Sequence, residues 1–202
     1  MPKKIIFLFS VLLALGLSFP SGLHAQAVIK DFTLTNTDSK PVSLSAYTAK
    51  KAVAVVFTGN HCVYSKKYED RILKLASDYA AREVQFILIN SNSPELSEDD
   101  HFEAMQVRAR EKGYTFPYLQ DPDQAIAKMF GALKNPDIYI LVPSSSEGFK
   151  VIYSGLIDDN PLMADAVTIN YAAKALDQVL AGNSAAMDST QVQGCGIKGL
   201  EE

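Results

Sequence analysis

A chain of 202 residues carrying 19 basic and 23 acidic side chains has a formal charge of −4, and its 48% of hydrophobic residues supplies the core of one domain. Mild acidity with no basic stripe argues against nucleic acid and anionic membrane surfaces as partners. There is no glycine-rich phosphate loop, no nucleophile-elbow serine and no spaced ladder of metal ligands, so few kinds of chemistry remain open.

The chain opens with Lys3 and Lys4, an apolar stretch over residues 5–17, then Pro20, Gly22 and the small-residue site Ala25-Gln26-Ala27. This is the layout of a cleaved secretory signal peptide over residues 1–25, and its apolar core is too short to span a membrane comfortably. No second long apolar run follows, so the mature chain is expected to be exported, periplasmic or extracellular, without stable membrane insertion. Two cysteines, Cys62 and Cys195, then meet an oxidising space, where an even count raises the odds of a disulfide. A bond between them would close nearly the whole domain, which in the chain-entropy picture stabilises by about 5 kcal/mol.

Residues 31–34 and 42–44 flank a turn-like Thr37-Asp38-Ser39-Lys40-Pro41 and predict a short hairpin. The apolar run over 52–57 predicts a buried strand, and the pattern from 62 to 81 predicts a helix with Tyr68, Ile72, Leu75, Ala76 and Tyr79 on one face. A second β-branched run over 84–89 completes a parallel βαβ unit. Residues 91–99 form a polar loop. Ser97-Glu98-Asp99-Asp100 offer a cap and first-turn acids for a helix running to about 112, stopped by Gly113. Residues 116–119 predict a short edge segment, and Asp121-Pro122-Asp123-Gln124 the capped start of a helix ending near Gly131. Strands over 138–142 and 149–153 predict a second hairpin, and a closing helix runs from about 163 to 180. Asp158 and Asp159 precede it as cap candidates. One domain over 28–181 is expected, followed by a glycine-rich flexible tail over 182–202 that carries Cys195.

Cys62 sits where the first buried strand turns into the first helix. Unpaired N–H groups and the helix dipole favour a thiolate there, and Lys66 and Lys67 one turn on add to the field. His61 beside it either raises the thiolate fraction or is a packing histidine. Ser65 stands where a Cys-x-x-Cys pair would end, so no local thiol is available to attack a mixed disulfide on Cys62. Gly194 and Gly196 around Cys195 would let the tail swing towards or away from Cys62.

In one order along the chain stand Asp31-Phe32-Thr33-Leu34, Asn60-His61-Cys62-x-Tyr64, Tyr68-Glu69-Asp70-Arg71, Ile89-Asn90-Ser91-Asn92, Phe116-Pro117-Tyr118-Leu119, Asn135-Pro136-Asp137, Ile157-Asp158-Asp159 and Gly194-Cys195-x-Ile197-Lys198. With these the chain resembles the peroxiredoxin-like branch of the redoxin (alkyl hydroperoxide reductase/thiol-specific antioxidant) proteins in the thioredoxin-like superfamily. The resemblance implies an α/β, thioredoxin-like fold: a central mixed sheet flanked by helices, with an N-terminal β-hairpin and a helical insert. It implies Cys62 as the reactive cysteine and makes Pro136, before the hairpin strand, the candidate for a cis proline facing it; an ordinary trans proline opening a strand fits that position equally. Two departures narrow the chemistry. A peroxiredoxin has a proline seven residues and a hydroxyl residue three residues before its reactive cysteine, and here those positions are Val55 and Gly59.

The reading that follows is an exported thiol–disulfide oxidoreductase with Cys62 as the attacking thiolate and Cys195 as its resolving partner. Asn60, His61, Tyr64, Ser65 and Pro136 would line the site. Its partners would be a thiol or disulfide protein, a small-molecule thiol or a peroxide. The competing reading is a non-enzymatic domain stapled by a permanent Cys62–Cys195 disulfide. Copper or another soft metal would need more ligands than Cys62 and the adjacent His61 provide, so no metal and no other cofactor is expected.

Overall fold

The structure, a computed structural model, describes residues 27–144 and 148–200; the expected signal peptide over 1–25 lies outside the described residues. A short β1 (Val28–Ile29) precedes the hairpin of β2 (Thr33–Asn36) and β3 (Pro41–Ser43). The Asp38 carboxylate makes that turn, accepting from Asn36 Nδ2 at 2.8 Å and from the Lys40 N–H at 3.1 Å. Then come β4 (Ala52–Phe57), α1 (Val63–Ala80) and β5 (Val84–Asn90). The strands β4 and β5 pair in parallel from Ala52 opposite Val84 to Phe57 opposite Ile89, so α1 is their crossover. The chain continues through α2 (Phe102–Lys112), β6 (Tyr118–Gln120), α3 (Ala125–Phe130), β7 (Lys134–Asn135), β8 (Asp137–Pro143), β9 (Phe149–Gly155), α4 (Tyr171–Leu180) and β10 (Cys195–Gly196).

Eight strands form one mixed sheet in the order β1-β9-β8-β4-β5-β6-β2-β3, and β10 pairs separately with β7. The central strands read as unbroken apolar runs because both of their faces are covered. Ala54, Val56, Phe86, Leu88, Ile138 and Ile140 face Tyr68, Ile72, Met105 and Leu176 from α1, α2 and α4. Val53, Val55, Phe57, Ile87, Ile89 and Leu141 face Ile126 and Phe130 from α3, with Leu44 and the distant Ile197. This is the central mixed sheet flanked by helices, with an N-terminal hairpin, that the resemblance implies. It puts the C-terminal end of β4, the start of α1 and the start of β8 side by side.

Four local expectations change. Residues 116–119 do not form an edge: β6 lies between β5 and β2, because the N-terminal hairpin folds over it and Asn36 Oδ1 takes the Tyr118 N–H at 2.9 Å. The helix expected from 97–100 starts only at Phe102, after a 3-10 turn at Glu98–Asp100. Gln124, in the left-handed region at φ 59°, holds the position before α3, while Asp121 reaches in from outside to accept from Ile126 N–H at 3.2 Å and Ala127 N–H at 3.0 Å. The closing helix starts at Tyr171 rather than near 163, capped by Asn170 Oδ1 on the Ala173 N–H at 2.8 Å.

The two acids before that helix also do something other than cap it. Asp159 accepts from the Thr168 N–H at 2.9 Å and closes the intervening loop. Asp158 turns inward, taking the Tyr68 hydroxyl at 2.8 Å and Arg71 Nη1 at 2.7 Å, while Arg71 also donates to the Asn160 and Pro161 carbonyls. The pair locks α1 to the loop after β9, and the Asp158 side chain is only 1% exposed. Breaking a buried pair by removing one partner strands the other charge. Asp158→Ala is expected to cost about 3 kcal/mol or more in urea denaturation, and Asp159→Ala, on the surface, about 1 kcal/mol or less.

Candidate functional site

Cys62 is the residue that ends the β4 loop and caps α1, with extended backbone at φ −74° and ψ 121°. No side chain caps the helix there, so its first-turn N–H groups remain pointed at the Cys62 region. Its sulfur is bonded to Cys195 Sγ, with the two Cα atoms 5.9 Å apart, and the residue is fully buried, whereas Cys195 is half-buried. The Asn135 carbonyl oxygen stands 3.3 Å from Cys62 Sγ. In the disulfide this is a contact only; a reduced Cys62 thiol there can donate to it. Asn135 also pairs with Cys195 across β7 and β10, and the Asn135–Pro136 peptide bond is cis. Thus one residue touches both halves of the disulfide.

The loop before Cys62 is held by polar groups from three elements. Asn60 donates its N–H to Asp100 Oδ1 at 2.6 Å and its amide to the Asp99 carbonyl at 2.7 Å, and accepts from the Tyr118 hydroxyl at 2.9 Å. His61 Nδ1 lies 2.7 Å from Asp100 Oδ2. Asp100 also accepts from Asn90 Nδ2 at 2.8 Å and Ser97 Oγ at 2.6 Å. Burial of Asp100 works to raise its carboxyl, but the hydrogen bonds from Ser97, Asn90, Asn60 and His61 outweigh it and hold it below the usual value. Asp100 therefore organises the cysteine loop, where the sequence predicts only an acid at a helix start.

Ser65 is buried and its hydroxyl faces the Gly59 N–H at 3.4 Å, so it ties the loop to α1. Gly59 has a steric reason. A Cβ there would stand 2.2 Å from Asn92 Nδ2, so the place a peroxiredoxin gives to a hydroxyl side chain is filled by the Asn92 amide. Tyr64 is half-buried on the first turn of α1, and Pro136 is buried. Asn60, His61 and Ser65 lie in or against the loop that leads to Cys62, and Pro136 follows Asn135, whose carbonyl faces the sulfur. Asn90, Asn92, Asp100, Asn135 and Asp137 were not predicted to have a role in the site. Asn90, Asn92, Asn135 and Asp137 lie in motifs shared with the resembled family, but only the fold shows what they touch; Asp100 carries no signal beyond its place in an acidic run. Gly194 also differs from expectation. A Cβ there would meet the Asn135 carbonyl oxygen at 2.1 Å, so this glycine permits close approach rather than swing.

Asp137, directly after Pro136, has one carboxylate oxygen 3.1 Å from the Tyr139 hydroxyl and the other without a hydrogen-bond partner. It lines a recess of about 250 Å³ with Gly131, Leu133, Lys134, Gln191 and Val192. Burial pushes its carboxyl up to about 7, against the pull of the Tyr139 hydroxyl and the Gly155 N–H. A larger surface groove, about 630 Å³ beside Asn36, Gln106 and Tyr114, holds neither cysteine.

The raised Asp137 value makes stability fall with pH. The folded state keeps a proton that the unfolded chain, with its ordinary value near 3.8, has already lost, so this group's contribution is complete below that value and disappears as pH rises through about 7. Between about pH 5 and about pH 8 the wild type is expected to lose roughly 2–3 kcal/mol that Asp137→Asn retains, measured by denaturant titration. Parallel profiles for the two proteins would contradict this.

The AhpC/TSA family matches residues 25–155 of the chain. The crystal structure of an uncharacterized conserved protein from Geobacillus kaustophilus is similar at 33% identity and a TM-score of 0.77, over 88% of this chain and 92% of that one. Likeness of fold alone extends to peroxidoxin BcpB from Mycobacterium tuberculosis, at 18% identity and TM-score 0.57 over 77% and 96% of the two chains. It extends also to a secreted Mycobacterium tuberculosis disulfide oxidoreductase homologous to E. coli DsbE, at 17% identity and TM-score 0.52 over 75% and 95%. No curated protein matches. The family match runs from before β1 to the end of β9 and takes in the whole Cys62 loop, Asn135 and Pro136. Covering well over half of the chain, it shows that the protein belongs to the AhpC/TSA family, on a thioredoxin-like fold.

Proposed function

We propose that the protein is an exported thiol–disulfide oxidoreductase with Cys62 as the nucleophile and Cys195 as the resolving cysteine. The observation that carries this reading is the bond between a fully buried helix-start cysteine and a half-buried cysteine near the far end of the chain. Asn60, His61, Tyr64, Ser65 and Pro136 line or hold the loop, and the partners are protein disulfides or small-molecule disulfides and thiols. Peroxide is disfavoured as substrate, since Val55 is a buried strand residue and Asn92 fills the space beside Gly59. The apolar segment over 5–17 with its small-residue site supports export, as does a disulfide, which persists in oxidising compartments. Among the described residues no helix is long and apolar enough to cross a membrane.

Burial supports the choice of sulfur in the step that restores the reduced protein. In the reduced protein the Cys62 thiolate attacks one sulfur of a partner disulfide; a Cys62–partner bond forms and the other partner sulfur leaves as thiolate. The Cys195 thiolate then attacks Cys62 Sγ, re-forming Cys62–Cys195 and releasing the partner's second sulfur, so the partner gains two electrons. To restore the protein, an external thiolate attacks the half-buried Cys195 Sγ rather than the enclosed Cys62 Sγ. Cys62 leaves as the thiolate, which the first-turn N–H groups of α1 stabilise, and a second external thiol frees Cys195.

A permanent staple draws support from one observation, the complete burial of Cys62. The two readings part in a disulfide-exchange assay. Cys62→Ser should abolish exchange, and Cys195→Ser should accumulate mixed disulfides with partners on Cys62, visible on non-reducing gels. Exchange by Cys62→Ser at the wild-type rate would end the oxidoreductase reading.

A further inference from the structure

The C-terminal segment reaches Cys62 through a fitted groove. Cys195 and Gly196 pair antiparallel with Asn135 and Lys134. One residue earlier, Gly194 passes so close to the Asn135 carbonyl that backbone alone rejects any side chain. Two residues after Cys195, Ile197 donates its N–H to the Leu133 carbonyl at 3.0 Å, and its side chain, 5% exposed, sinks into the core beside α3. Lys198 is then gripped through its backbone. Its N–H donates to Asn92 Oδ1 at 2.9 Å, and its carbonyl accepts from the Ser93 N–H at 2.9 Å and Gln124 Nε2 at 2.7 Å.

The strand edge at Lys134–Asn135, the notch at the Asn135 carbonyl and the Ile197 socket all belong to the body of the domain. None of them depends on which chain supplies the cysteine. A sulfur bonded to Cys62 in place of Cys195 brings its own flanking residues to the same three features.

We infer that this groove recognises the partner protein, and that the partner presents an extended Gly-Cys-x-aliphatic segment, of which Gly194-Cys195-Gly196-Ile197 is the internal copy. The inference rests on the exchange reading above and adds to it a substrate class. Main-chain pairing supplies register, the glycine-only notch excludes any larger residue before the cysteine, and the apolar socket selects the residue two places after it. The tail and the partner segment occupy the groove in turn: the partner segment while it is bonded to Cys62, the tail once Cys195 has displaced the partner's sulfur.

The test uses the full chain with Cys195→Ser and three capped peptides, Gly-Cys-Gly-Ile, Ala-Cys-Gly-Ile and Gly-Cys-Gly-Asp, each as the mixed disulfide with thionitrobenzoate. The Cys62 thiolate attacks the peptide sulfur, the peptide–thionitrobenzoate bond breaks, and the coloured thiolate leaves with the electron pair. Burial of an isoleucine predicts that the first peptide reacts about tenfold faster or more than the aspartate peptide, and the clash at the Asn135 carbonyl predicts a similar advantage over the alanine peptide. The pre-reduced wild type, whose fold does not depend on the substitution, should rank the peptides alike. Equal rates, within about twofold, would overturn the groove assignment and leave exchange standing. No release from any peptide in either protein would overturn exchange itself. A covalent dimer of the wild type, formed on oxidation in preference to peptide capture, would assign the groove to a second copy of this chain and overturn the partner assignment.

Discussion

The bond between Cys62 Sγ and Cys195 Sγ joins the start of α1 to the far end of the chain, and the two-residue pairing of β10 with β7 exists beside it. Around that bond every neighbour is specified. The Asn135 carbonyl touches one sulfur, its strand pairs with the residue bearing the other, and Gly194 is the residue type its closeness demands. The segment from 187 to 190 is anchored independently, with the Met187 N–H on the Ile152 carbonyl at 2.7 Å and the Thr190 N–H on the Ser154 carbonyl at 3.2 Å. The segment is therefore held on both sides of Cys195, its middle along β9 and its end by the buried Ile197 and the backbone of Lys198. On the proposed reading, that anchoring keeps a reduced Cys195 thiol at high local concentration beside Cys62.

The second constraint is electrostatic. Removing the Asp100 carboxylate from water is unfavourable, and it is offset by donors from Asn60, Asn90, Ser97 and His61 that converge from β5, the cysteine loop and the 3-10 turn before α2. A network satisfied in this way is rigid, and it fixes the loop that presents Cys62. Asp137, on the other side of Pro136, is the opposite case: its carboxyl is buried with one oxygen unpaired, and burial pushes it up to about 7.

How legible this was in the sequence follows the range of the interactions. The strands β4 and β5 and the helix between them were readable because apolar continuity and helical spacing are local, and Cys62 stood out because the change of pattern falls on it. The start of α4 was not readable. Leu162 and Met163 continue an apolar pattern but are 52% and 59% exposed, and the true cap is Asn170, ahead of the buried Ala172 and Ala175. Asp100 looked like a helix-start acid because the residues it serves, Asn60 and His61, lie some forty positions away. Likewise β6 read as an edge because the hairpin that covers it is far earlier in the chain. A two-residue strand such as β10 has no periodicity at all, and Gly194 showed its purpose only against the Asn135 carbonyl. Gly59 is the instructive departure from the family pattern: its missing hydroxyl is explained by Asn92, a residue whose place beside it only the fold supplies.

The central claim, that this disulfide turns over rather than stapling the fold, is tested most directly by its redox midpoint. The mature protein would be equilibrated across thiol–disulfide buffers and the Cys62–Cys195 linkage read by mass spectrometry. The account predicts a midpoint in the range of roughly −120 to −270 mV, where exchange proteins operate. A midpoint below about −300 mV would contradict it and mark the bond as a permanent structural link.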